Sequence, residues 1–422
     1  MKAADVVVIG GGPAGSTAGA IMAEHGLRVV LVERSKFPRY HVGESLLPFT
    51  CYPLKRLGLL EQMQHSEFVK KHSVQFVSPS GKVSQPFYFS SRYASEIAQT
   101  WQVLRSEFDQ MLLDNARNRG VEVVEEVQVK EFLQDGDRIV GVRGASTSGQ
   151  PFAIHAPMTL DCSGREAFSA NRMNWRVAEP DLNKVAVWTY YRGAMRDPGI
   201  DAGATTVAYV PEKGWFWYIP QHRDMVSVGV VAEGRYLTRG GVRAPKDIFL
   251  REIEQNAWIK SHLAPGQQEG DFHLTGEFSF RSKYCAKDGL LLAGDAFGFL
   301  DPVFSSGVLL ALKSGVLAGD AIAAAATAGD FSAERFSEYS FLMREGLENM
   351  RRLVYAFYDP AFSFRDLTGE YPELAGDVTD CLSGDVNKDF SRLFDAISET
   401  TKLPAPLPYG EPLTTRAELV QS

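Results

Sequence analysis

The sequence runs to 422 residues, 45% hydrophobic and 23% charged, with a formal net charge of -8 at pH 7. The composition is ordinary for a globular chain and the length suits two or three structural units around a substantial core. The acid excess argues against nucleic acid as a partner, which needs a basic face. Cys51, Cys162, Cys285 and Cys381 stand far apart with no CxxC or Cys/His spacing. A structural metal and a disulfide framework are therefore not expected, and a reducing cytoplasm is the expected location. The N-terminus lacks a secretory apolar region and no run approaches ~18 consecutive apolar residues, so no membrane span is expected.

In chain order, DVVVI (5–9) predicts a short buried parallel strand. Gly10, Gly12 and Gly15 then open a helix that stops at Gly26, and a second strand ends at Glu33 and Arg34. This is a βαβ unit with G-x-G-x-x-G in its turn and an acid 18 residues after the last glycine. The glycines permit a tight turn and close approach of a pyrophosphate to the helix N-terminus, while Glu33 accepts from ribose hydroxyls. Strand, helix, strand and acid together predict dinucleotide binding. No second G-x-G-x-x-G follows, so if the cofactor is FAD its reduced form is expected from a separate flavin reductase.

FVKKHSVQF (68–76) holds two adjacent lysines between apolar residues. Strand parity puts Lys70 on the face of Phe68, Val74 and Phe76, and taken alone such a pair reads as solvated surface charge. WQVLRSEFDQMLLDNARNRGVEVVEE (101–126) predicts strand, helix and strand, and 156–167 a strand ending in a small-residue turn. Residues 185–232 alternate as several strands of a sheet. Residues 288–315 predict a strand, an aspartate turn and a long buried helix, and 331–399 are helical and aromatic-rich.

GGGPAG, GES (43–45), WQVLRSEFD (101–109), DCSGR (161–165) and LLAGDAFGFLDP (291–302) together resemble the group A flavin monooxygenase superfamily over residues 1 to about 360. The resemblance implies an α/β fold with a discontinuous Rossmann-type FAD-binding domain (1–70, 101–175 and 276–330). It further implies an inserted, mainly antiparallel substrate-domain sheet (71–100 and 176–275) and a helical C-terminal region (331–400), leaving a loose tail (401–422). It also implies that Arg105 contacts the flavin and that Gly294 and Asp295 close over the ribityl chain and pyrophosphate. On physical grounds alone, an aspartate after a strand of leucines is equally a common N-cap.

Within that superfamily the chain resembles the flavin-dependent halogenases of phenols and pyrroles. Gly214-Trp-Phe-Trp-Tyr-Ile-Pro220 matches the family pattern W-x-W-x-I-P, which implies that Trp215 and Trp217 keep an organic substrate from the flavin. An aromatic sheet core would show the same alternation. Phe299-Leu-Asp-Pro302-Val-Phe-Ser305-Ser-Gly307 matches F-x-x-P-x-x-S-x-G, implying a halide held by the backbone N–H groups of Ser306 and Gly307, shaped by Pro302, Phe304 and Ser305. A helix N-terminus suits an anion, although a serine there is also an ordinary cap. The family motif F-x-x-K-x-G falls on Phe68 to Lys71, with Ser73 at the glycine position and Val77-Ser78 where tryptophan-glycine often follows. That register selects Lys71 as the catalytic amine; Lys70 is the alternative.

The chemistry so implied begins when reduced FAD and O2 form a flavin hydroperoxide, which chloride or bromide attacks. The resulting hypohalous acid reaches Lys71, and the halogen passes to an electron-rich aromatic carbon. Phe304 stands where halogenases of free tryptophan carry a glutamate, which implies an activated phenol or pyrrole. Such a substrate is either free or tethered to a carrier protein, and the carrier is expected to be a separate protein. The competing expectation is an FAD-dependent monooxygenase or reductase of the same superfamily without halogenation.

Overall fold

The computed structural model describes residues 2–414 apart from 213, 277, 278 and 407. The chain begins with β1 (Val6–Ile9), α1 (Pro13–Glu24) and β2 (Val29–Val32), the two strands buried throughout. β3 (Val69–Lys71) and β4 (Ser73–Val77) follow, separated by His72 alone, then β5 (Phe87–Tyr88) and β6 (Thr100–Gln102). α2 (Arg105–Asn118), β7 (Glu122–Val124) and β8 (Met158–Asp161) return to the first unit. Four long strands come next: β9 (Lys184–Arg192), β10 (Thr205–Val210), β11 (Gly214–Gln221) and β12 (Met225–Glu233). Then come β13 (Gln267–Gly276), β14 (Tyr284–Lys287), β15 (Leu290–Leu292) and α3 (Gly307–Ala328). α4 (Ser337–Tyr358), α5 (Phe364–Glu370), α6 (Ala375–Ser383) and β16 (Glu411–Pro412) close the described chain.

Among the described residues, two seven-stranded sheets hold all of these strands except β3 and β6, which pair with each other. The first has the order β16-β14-β15-β8-β1-β2-β7, with β8, β1, β2 and β7 parallel. Its central strands are runs of Val, Ile and Leu because both faces are covered. α3 is long and apolar enough to cross a bilayer by length and composition, yet 67% of its most apolar window is buried inside the protein. It packs on α1 so closely that a Cβ at Gly315 would stand 2.6 Å from the Ala14 carbonyl oxygen.

The second sheet has the order β13-β9-β12-β11-β10-β4-β5. It separates two cores, and alternation assigns residues to them: Trp215, Trp217 and Ile219 join the main core while Phe216 and Tyr218 join a smaller one. The lysine segment does not continue as one strand. β3 pairs antiparallel with β6, Lys71 opposite Thr100, whereas β4 lies parallel to β10 in the second sheet. The chain changes sheets at His72, so the single-strand parity that paired Lys70 with Phe68, Val74 and Phe76 does not hold. Lys71 is buried and Lys70 exposed.

The tail expected to be loose from 401 is not loose over its described part. Glu411–Pro412 extends the first sheet beside β14, and the Gly410 N–H donates to the Lys283 carbonyl at 2.7 Å. Residues 415–422 of that expected tail lie outside the described residues.

Candidate active site

A cavity of about 400 Å³ opens at the C-terminal ends of β1 and β2, where an open parallel sheet offers its loops to ligands. The three motif glycines there have different reasons. Gly10 has φ +102°, and a Cβ would stand 2.3 Å from the Cys162 carbonyl oxygen; at Gly15 a Cβ would stand 1.9 Å from the Gly10 oxygen. Those two are required by the fold. At Gly12 a Cβ would meet only Arg39 Nη2, at 3.5 Å, so the fold leaves the backbone open there to a close-approaching group. A pyrophosphate at the α1 N-terminus fits that opening.

Glu33 lines the cavity, buried, with Oε2 accepting from the Gly11 N–H and Oε1 from the Ser35 N–H, both at 2.8 Å. Arg34 lines it too and pairs with Glu166. Arg105 is buried and grips Asp109 through two bonds of 2.7 and 3.0 Å. Its remaining nitrogen donates to the Val42 and Gly43 carbonyls at 2.9 and 3.2 Å, so Arg105 also fixes the loop that precedes Glu44. The Gly294 N–H donates to Ser314 Oγ at 2.8 Å, and burial raises Asp295 to about 6 against the charges of Arg105 and Arg165. Phosphate-accepting backbone, a fixed carboxylate and surrounding arginines make a donor set that fits FAD.

A second cavity, about 30 Å³, lies beyond a wall of Thr205, Val207, Val303 and Ser305, residues that line both spaces. Lys71, Phe76, Phe87, Phe89 and Phe304 line it, with Thr379, Leu382 and Ser383 of α6 across from them. Lys71 is 1% exposed. Its Nζ donates to Ser45 Oγ at 2.9 Å and to the Leu46 carbonyl at 3.1 Å, and it stands 5.6 Å from the centre of the Phe89 ring. Burial, with no carboxylate to offset it, pushes the amine down to about 7.

On the large-cavity side, Trp215 and Trp217 stand at alternate positions of β11 with ring centres 6.1 Å apart. Trp215 Nε1 donates to Tyr358 Oη at 2.8 Å, and that hydroxyl donates to Asp301 Oδ2 at 2.9 Å. Asp301 Oδ1 in turn accepts from the Val303 N–H at 3.1 Å. The tryptophan motif is thereby tied to the turn through Pro302 and Ser305, which ends at α3 with Ser306 as its N-cap. Ser305 adopts φ +57°, the left-handed conformation that lets the chain double back into the helix.

Residues 3–343 match the FAD binding domain family model. A 1H-pyrrole-2-carbonyl-[peptidyl-carrier protein] chlorinase of Pseudomonas fluorescens is 30% identical over 90% of this chain and 89% of its own. The chain belongs to the flavin-dependent halogenases. A 1H-pyrrole-2-carbonyl-[peptidyl-carrier protein] brominase of Pseudoalteromonas luteoviolacea is 32% identical over 78% of this chain and 80% of its own. The solved structure of a flavin-dependent brominase superposes with a TM-score of 0.85 at 30% identity, covering 94% of this chain and 99% of that one. This halogenase is therefore an FAD-dependent enzyme of α/β fold with mixed sheets and C-terminal helices.

The structure gathers Gly10, Gly12, Glu33, Arg34, Arg105, Asp295, Trp215, Trp217, Pro302, Ser305 and Gly307 around the large cavity, and Lys71, Phe304 and Ser305 around the small one. Gly15 and Gly294 stand behind the lining, and Ser306 is buried at the α3 cap. Sequence reasoning did not find Arg39, Ser45, Thr205 or Tyr358. Ser45 was visible only as part of GES; Thr205 and Tyr358 carry no local signal because their partners are far away in the chain.

Proposed function

We propose that this halogenase installs chloride or bromide on an electron-rich aromatic, a phenol or pyrrole that is free or tethered to a separate carrier protein. Reduced FAD arrives from a separate flavin reductase. The observation that carries this reading is the Lys71 amine, buried in an aromatic-lined pocket that shares a wall with the FAD cavity.

Gly12 and the α1 N-terminus hold the pyrophosphate in the turn that Gly10 and Gly15 make possible, Glu33 and Arg34 the ribose end, and Arg105 and Asp295, positioned by the turn at Gly294, the flavin side. Reduced FAD, when bound, supplies the electrons that turn O2 and halide into hypohalous acid. Ser306 and Gly307 present N–H groups to the halide at the α3 N-terminus. Trp215 and Trp217 occupy the FAD side of the wall and keep the organic substrate on the Lys71 side. Lys71 takes the halogen as a haloamine, releasing water, or holds and polarises hypohalous acid by hydrogen bond. An amine near neutrality at pH 7 serves either role.

No carboxylate lines the lysine pocket among the described residues. A ring that needs a base to lose its proton is poorly served there, and an activated phenol or pyrrole needs none. The two relatives named above act on a pyrrole-2-carbonyl group carried by a peptidyl-carrier protein, which supports the pyrrole reading. Purified protein with FAD, a flavin reductase, NADH, O2 and bromide, offered free and carrier-loaded pyrrole-2-carboxylate and simple phenols, is expected to give a bromide-dependent mass increase. An oxygenated product formed equally without halide would instead identify a monooxygenase.

A further inference from the structure

Oxidation of halide in the FAD cavity has a proton requirement of its own. The balance is FADH2 + O2 + X⁻ + H⁺ giving FAD + HOX + H2O, so each turnover draws one proton more than the reduced flavin carries. The electrons come from the flavin, O2 is reduced and the halide oxidised.

Glu44 lines this cavity and is 2% exposed. Its Oε1 accepts from the Tyr190 hydroxyl at 2.8 Å, and its carboxylate is buried with Ser227 and Gln221 as further polar neighbours. The chain of contacts continues outward. Tyr190 Oη lies 3.1 Å from Tyr40 Oη, and Trp188 Nε1 donates to that same Tyr40 oxygen at 2.6 Å. Tyr40 is 51% exposed, its ring stacked on His273 at 4.9 Å.

The Tyr190 hydroxyl has a single proton and two acceptors in reach, Glu44 Oε1 at 2.8 Å and Tyr40 Oη at 3.1 Å, so it serves one neighbour at a time. Trp188 can only donate and fills an acceptor site on Tyr40. The row runs unbroken from the exposed Tyr40 hydroxyl to Glu44.

We propose that Glu44 is the proton donor of the FAD cavity, and that Tyr190 and Tyr40 reload it from solvent. Glu44 releases its proton, Oε1 takes the Tyr190 proton, Tyr190 takes the Tyr40 proton, Tyr40 regains one from water, and rotation of the carboxyl and the two hydroxyls restores the starting arrangement. Burial raises the Glu44 pKa, opposed by hydrogen bonds from Ser227, Tyr190 and Gln221 and by the charge of Arg105. His41, also on the cavity, is pushed down to about 3 by burial and by Arg105 and Arg39, so it holds no acidic proton at neutral pH.

The proposal rests on the halogenase reading for its turnover but not for its spectroscopic test. Infrared spectra of the full chain loaded with FAD at pH 7 are expected to show a protonated-carboxyl band that Glu44→Gln removes. In Tyr190→Phe, which removes one oxygen and keeps the ring, that band exchanges with D2O several-fold more slowly. Both variants retain wild-type FAD affinity, and product formation by Glu44→Gln falls about 100-fold. A wild-type spectrum without the band, or exchange unchanged in Tyr190→Phe, overturns the proposal. Should Glu44→Gln not fold, Tyr190→Phe alone decides. A protein that shows the band and its slowed exchange yet gives no halide-dependent product keeps the proton path and loses the proposed function.

Discussion

Lys71 is a cation placed where a cation is costly. Its pKa falls from 10.5 in the free side chain to about 7 because burial penalises the charged form. Below pH 7 the amine is protonated in both folded and unfolded chains, and burying that charge costs on the order of 5 kcal/mol. Between 7 and 10.5 the unfolded chain binds more protons than the folded one, so stability recovers as pH rises and the cost vanishes above 10.5. Lys71→Met is therefore expected to raise the urea midpoint at pH 7, by about 1–3 kcal/mol after the loss of its hydrogen bonds to Ser45 and Leu46. The gain should shrink toward pH 10 in denaturation curves; a gain independent of pH would contradict the burial cost. Adjacent Lys70 makes the difference legible only in three dimensions. Both residues have the same composition and local context, and what separates them is the change of sheet at His72, which strand parity does not anticipate.

At the scale of elements, α4 joins the tryptophan strand to the turn before α3. Tyr358 accepts from Trp215 on β11 and donates to Asp301, which pins Val303. Tyr358→Phe leaves the Trp215 N–H and one Asp301 oxygen unpaired in a buried setting, a loss of about 1–3 kcal/mol. A lower melting temperature is expected, with a raised KM for halide and unchanged FAD affinity by fluorescence titration; weakened FAD binding with normal halide KM would place the effect elsewhere. The sequence showed β11 and the turn clearly, because period-two aromatics and the F-x-x-P-x-x-S-x-G spacing are local patterns. It did not show their link, since Tyr358 lies 143 residues from Trp215 and occupies an ordinary helical position. The βαβ unit was readable for the same local reason: strand, glycine turn, helix and acid all fall within one short stretch.

Over the whole molecule, the C-terminal segment completes both the first sheet and the lysine pocket. Pro- and Thr-rich composition suggested a loose tail, but backbone pairing at Glu411–Pro412, the Ser340 hydroxyl bond to Gly410 and the Arg344–Glu411 ion pair fasten it. Composition reports what a segment can bury of its own, and here the partners belong to distant elements. A chain ending at residue 402 loses these contacts and is expected to melt several degrees lower; an unchanged melting temperature would show the segment to be dispensable. α6 closes the lysine pocket, held by Asp380 to Arg92, Tyr93 and Lys388. A space of about 30 Å³ holds a water or two rather than an aromatic ring, so a ring enters only when α6 or the phenylalanines beside it shift. The most direct measurement of the whole arrangement compares neighbouring lysines. Product mass is read after turnover with FAD, a reductase, O2 and bromide for wild type, Lys71→Ala and Lys70→Ala. Bromination lost in Lys71→Ala and kept in Lys70→Ala is the predicted result. Bromination kept in Lys71→Ala, or lost only in Lys70→Ala, would contradict it.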